Sequence, residues 1–172
     1  MENREVRLDP GAQREFTTEL ARLALESSAP DELMVFDEVA DEFFADQAAA
    51  LNPRSRDESV GFGLELALLT PAALAICGEV VRFLADLLAE TFKDEAKSVL
   101  GSYFRRMFVS RDQPAGAEPP QSAIRLSDEQ MRRVHEAALT EGRRLKLPEE
   151  TTALLGNAIV GALVVDAPGD RS

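Results

Sequence analysis

The segment VGFGLELALLTPAALAICGEVVRFLADLL, residues 60 to 88, constrains this chain more than any other. From Val60 to Gly78 there are 19 residues whose only charge is Glu65, a length and polarity that would suit a membrane-crossing helix. A span must be apolar all round and unbroken. Glu65 and Pro71 stand against that, and Thr70 followed by Pro71 reads as the cap and first residue of a new helix, dividing the segment into halves too short to cross. Beyond Gly78, the residues Glu79, Arg82, Asp86, Glu90, Lys93 and Lys97 follow one another at spacings of three or four, so they line one wet side of a helix. Cys77, Val81, Leu84, Leu88, Phe92, Val99 and Tyr103 are left for an apolar side. The pattern predicts a long amphipathic helix over 71–108, about 57 Å at ~1.5 Å per residue if continuous, with Gly101 the place where it would bend or end. Contact of residues 60–92 with a bilayer is the alternative that the same segment leaves open.

The rest of the chain is read around that helix. With 172 residues, one main core is expected. Asp9 before Pro10 starts a first helix, with Phe16, Leu20, Leu23 and Ala24 at helical spacing until Ser27 and Ser28. Pro30 starts a second, in which Leu33, Phe36, Val39, Ala40, Phe43 and Phe44 form the apolar stripe; a short strand at LMVF is the competing reading. NPRSRDES, residues 52 to 59, is a polar break. SRDQPAGAEPPQSA, residues 110 to 123, is a linker by composition. After it, Ser127 and Gln130 form a capping-box pattern that opens a helix carrying Met131, Val134, Ala138 and Leu145. Pro148, Glu149 and Glu150 open another that contains TALLGNAIVGALVV. The expected organisation is a helical domain over 1–109, a Pro-rich linker over 110–123, a helical hairpin over 124–167 and a tail over 168–172. A hairpin of about 40 residues sits at the lower limit for folding alone, so it must dock on the long helix or on a partner. The fold class is all-α: a bundle around one long amphipathic helix with a linked hairpin.

Chemistry-bearing patterns are scarce. Cys77 lies in an apolar run with no basic neighbour to favour its thiolate, and the single histidine, His135, is far away in sequence. Asp37, Glu38, Asp41, Glu42 and Asp46 lack the glycine and spacing of a calcium loop and read as a solvated face. GFG at 61–63 has neither the third glycine of a dinucleotide fingerprint nor the Gly-Lys-Ser/Thr of a phosphate loop. No metal or cofactor is expected. The net charge of −12 disfavours phosphate backbones, and the last helix, beginning Glu149, Glu150, would repel DNA in a helix-turn-helix. With one cysteine there is no intramolecular disulfide, and MENREVRLDP lacks the regions of a secretion signal, so a cytoplasmic protein is expected, with peripheral membrane attachment as the alternative.

One local anomaly remains. Lys93 to Arg111 holds five basic and two acidic residues inside an acidic chain, and within it VLGSYFRRMF mixes aromatics and methionine with arginine. That is the composition of an interface core or of a helix lying on anionic lipid, as well as of a helix end whose cations complement its own dipole. Tyr103, Phe104, Arg105, Arg106, Met107 and Phe108 are therefore the candidate partner-binding residues. Gly156, Gly161, Ala158 and Ala162 would let another helix approach the last helix closely, a feature usually satisfied within the chain.

The segments LTPAALAICGEVVRFLADLL, YFRRMF and LKLPEETTALLGNAIVGALVV together resemble uncharacterised small helical proteins of high-GC actinobacteria. The resemblance implies an accessory role in a bacterial defence or conflict system, and it carries over no functional residue. The expected function is that of a non-enzymatic interaction or regulatory protein, binding a protein partner or itself through the aromatic and basic helix end. A membrane-docked effector using residues 60–92 is the first alternative, and an enzyme of unassigned class the second.

Overall fold

The computed structural model describes residues 8–52, 69–109 and 125–164, which form seven α-helices and no strand. Helix α1, Pro10–Ser28, starts where Asp9 accepts a hydrogen bond from the Ala12 amide with Pro10 in the first turn. A 3₁₀ turn, Pro30–Met34, precedes α2, Phe36–Ala45, so LMVF is not a strand and the helix begins later than Pro30. Asp46 ends α2 and caps α3, Gln47–Leu51, by accepting from Ala49. The segment 53–68, with its GFG and the first half of the apolar run, and the linker 110–123 lie outside the described residues.

Helix α4, Thr70–Phe92, is the backbone of the fold. The expected start, Thr70 as cap and Pro71 as first residue, is one residue late: Leu69 holds the cap position, and the capping group is not local. The buried carboxylate of Glu32, from the 3₁₀ turn, accepts from the Leu69 amide at 3.1 Å, the Thr70 amide at 2.8 Å and the Thr70 hydroxyl. An anion there satisfies orphan N–H groups and sits at the positive end of the helix dipole. The predicted wet stripe holds where it is described: Arg82, Asp86, Glu90 and Lys93 are exposed, and Glu79 is half-buried.

The helix over 71–108 is broken, and the break is not at Gly101. α4 stops at Phe92, where Lys93 takes φ 47° and ψ −114°; a 3₁₀ turn, Lys93–Glu95, follows, and α5, Ala96–Val109, returns along α4. Gly101 lies inside α5 and breaks nothing. Folding back lets Leu100 and Phe104 join the core instead of projecting beyond the bundle.

Helices α6, Asp128–Arg144, and α7, Glu149–Val164, form the predicted hairpin, and the capping box is complete, with Ser127 and Gln130 each bonded to the other's backbone amide. α6 packs on α4 and α7 packs on α1, closing a four-helix ring in the order α1, α4, α6, α7, with α2 and α5 against α4. Val134, Ala138, Leu155, Ile159 and Leu163 belong to the same buried cluster as Leu20, Leu74 and Leu84. The hairpin therefore completes the common core and is no separate body.

Candidate functional site

The predicted binding residues divide. Phe104 is fully buried and stacks on Phe16 of α1, ring centroids 4.5 Å apart and 11° from parallel. It is a core residue, and assigning it to a partner surface is corrected: the turn at Lys93 aims it inward. Arg105 is exposed. The side chains of Tyr103, Arg106, Met107 and Phe108 lie outside those described.

The groups that could carry chemistry are held in structural roles. Cys77 is buried and free, and burial without a nearby cation pushes its thiol far above the ordinary range, so it offers no thiolate. His135 Nε2 lies 3.1 Å from Asn157 Oδ1, joining α6 to α7. On α2, Asp41 pairs with Arg14 at 2.7 Å and Asp37 pairs with Arg22. The same two guanidinium groups lie over the rings of Phe44 and Phe36, so these acids fasten α2 to α1. Among the described residues no cluster of His, Cys, Asp and Glu could hold a metal ion. Nor is any described helix long and apolar enough to cross a membrane.

A partly open cleft of about 360 Å³ lies between α1, α2, α3, α4 and the end of α6, with Phe43, Phe44, Leu74 and Leu145 among its walls. Arg14, Arg82 and Arg144 also line it, and each already has a carboxylate: Asp41, Glu79 and Glu141 respectively. Glu141 is buried and takes Arg144 in a two-point contact. The cationic side of the cleft is thus neutralised from within.

What remains unmatched is apolar surface. Met34 is 92% exposed with Val35 exposed beside it, a short turn with the exposed acids Asp31, Asp37 and Glu38 close in sequence. On α7 the feature is extended. No residue from Thr151 to Val164 is charged, yet among the described residues α7 packs mainly on α1 and α6. Leu154 is 44% and Val164 51% exposed; Asn157 and Gly161 are exposed, and Ala158 and Ala162 half-buried, along the same side. Asn157, the one strongly polar group there, has its amide oxygen beside His135. The two glycines of the small-residue pattern then separate. A methyl at Gly156 would meet Leu139 at 3.1 Å, so that glycine serves the α6 contact. A methyl at Gly161 would meet nothing within 4 Å. Sequence reading found the glycines but assigned both inward; the missed signal was the absence of any charge to mark a wet side.

Comparison with family models, with curated proteins and with solved structures finds no match to this chain.

Proposed function

We propose that this chain is a non-enzymatic interaction protein, an accessory that acts by docking onto a protein surface. The observation that supports the reading is the outer side of α7, an uncharged helix face carrying Leu154, Val164 and the open position at Gly161. A helix that is apolar all round belongs in a core or at a contact, and α7, packed mainly on α1 and α6 among the described residues, leaves Leu154 and Val164 exposed. Arg105 supplies the exposed charge of the basic α5 end, whereas Phe104 takes no part because it is packed on Phe16. The accessory role implied by the actinobacterial resemblance belongs to this reading.

The test is photo-crosslinking in cells that produce the chain, with the photoreactive amino acid placed in turn at Leu154, Val164 and, as an exposed control, Ala45 of α2. Covalent protein adducts are expected from the two α7 positions and not from the control. Absence of adducts from both α7 positions in folded protein would overturn the reading.

A further inference from the structure

We propose that the cleft at the meeting of α1, α2, α3, α4 and the end of α6 is a binding site for a small organic carboxylate with an apolar body, whose carboxylate is held by Arg14 and Arg82. The site stands apart from the interaction reading above, since Leu154 and Val164 of α7 are not among its walls.

Size selects a small molecule. About 360 Å³ lies at the lower end of the range for sites that take small ligands, which combine apolar walls with a few orienting polar groups. The apolar part is present: Phe44, Leu51, Ala75 and Leu145 are half-buried walls, and the buried Phe43 and Leu74 complete the lining. The polar part selects the sign of the ligand. Three guanidinium groups line the cleft against the two carboxylates of Glu79 and Glu141, in a chain that carries −12. Asp41 offsets the extra cation from outside the lining, but ion pairing leaves hydrogen-bond donors over. Arg14 reaches Asp41, and Arg82 reaches Glu79, through Nη2 alone. A guanidinium carries donors on each of its nitrogens, in a planar fork that matches a carboxylate at two points, so Nε and Nη1 of both arginines remain for a second anion. The acids have less to offer a cation. Both oxygens of the buried Glu141 are taken by Arg144, through Nε and Nη2, which leaves Oε1 of Glu79 as the one carboxylate oxygen of the lining without a bond. An ammonium ligand would have to displace Arg144 from its two-point contact. A carboxylate displaces nothing, because Arg14 and Arg82 are each more than half exposed and only partly engaged.

Titration of the full, isotope-labelled chain with phenylbutyrate, followed through the backbone amide shifts, tests this, with phenylbutylamine as a ligand of the same body and opposite charge. Phenylbutyrate should shift the amides of Leu51, Ala75 and Leu145 saturably. It should bind about fivefold or more tightly than phenylbutylamine, although the net charge of −12 favours the amine. Arg82→Gln should weaken phenylbutyrate binding about tenfold, the size of one charge-assisted contact. Arg105→Gln removes an exposed arginine outside the cleft and should leave binding unchanged. Ala75→Phe places a ring in the cleft and should abolish binding; Arg82→Gln, at an exposed side chain, carries the test if that variant disturbs the fold. No saturable shift at the three amides, tighter binding of the amine, or binding indifferent to Arg82→Gln overturns the proposal. Equal weakening by Arg105→Gln would mark a diffuse effect of charge and overturn it as well. None of these outcomes touches α7, where the crosslinks decide the interaction reading separately.

Discussion

Helices α4 and α7 are the two apolar helices of this bundle, and they solve the same problem differently. α4 is covered by α1, α2, α5 and α6, and where it does meet water it says so with Arg82, Asp86 and Glu90 at helical spacing. Among the described residues α7 has mainly α1 and α6 beside it, and it shows no charged residue between Glu150 and its end. Hydropathy therefore reports what a helix side is fit to face, and coverage reports what the chain itself supplies. Where the two agree, as on α4, the helix is finished within the fold. Where they disagree, as on α7, an uncharged side stays partly open.

The sharpest separation of the two helices is a matched pair of truncations. Leu84 is fully buried in α4, and Leu84→Ala should lower stability by about 3 kcal/mol in urea unfolding, within the range for buried leucines. Leu154→Ala should change it by less than about 0.5 kcal/mol. Equal losses would mean that α7 is covered after all. The next largest effect lies at the start of α4. Glu32→Gln keeps the size but leaves the Leu69 and Thr70 donors with one neutral acceptor in place of a carboxylate, and should cost about 2 kcal/mol. A variant as stable as the wild type would show that water serves those donors equally well.

On the α7 side the corresponding fixed point is Gly142 against Thr152. A methyl at Gly142 would stand 2.5 Å from Thr152 Cγ2, and Thr152 is buried and β-branched, so it cannot turn away freely. Gly142→Ala should cost about 1 to 2 kcal/mol through overpacking. Combining it with Thr152→Ala should cost less than the two single changes added, because the methyl then finds room. Full additivity would place the cost elsewhere than in this contact.

These contacts also mark what was legible from residues alone. The capping box at Ser127 and Gln130, the proline-led starts of α1 and α4 and the wet stripe of α4 depend on neighbours within a turn or two, and local pattern finds them. Glu32 acts on a residue 38 positions away, and nothing near it in sequence indicates that its charge will be buried. The end of α4 was unreadable for the opposite reason: the break occurs at a lysine, while the glycine that signalled flexibility, Gly101, sits inside a regular helix. Misplacing that break turned Phe104 from a core residue into a candidate surface residue. For α7, the small residues read as packing within the chain, which holds for Gly156 against Leu139 and not for Gly161, where a side chain would meet nothing within 4 Å.

The smallest expected effects concern the two lysines that turn the chain beside these helices. Lys93 at the end of α4 has φ 47°, and Lys146 before α7 has φ 58°. Both fall in the region that favours glycine, at about 1 kcal/mol or more for a residue with a Cβ. Their settings differ. The end of α6 is a Schellman turn, with the Leu147 amide bonded to the Gly142 carbonyl and the Lys146 amide to that of Arg143, so Lys146 occupies the place where left-handed residues are routine. Lys93 combines its positive φ with ψ −114°, away from the left-handed helical well, and so is the more strained of the two. Lys93→Gly should therefore raise stability by about 1 kcal/mol, and Lys146→Gly by about half of that, each reduced by the extra freedom glycine gives the unfolded chain. If the order is reversed, the turn that sends α5 back along α4 is relaxed, and the burial of Phe104 is held by its packing in the core, the stack on Phe16 included.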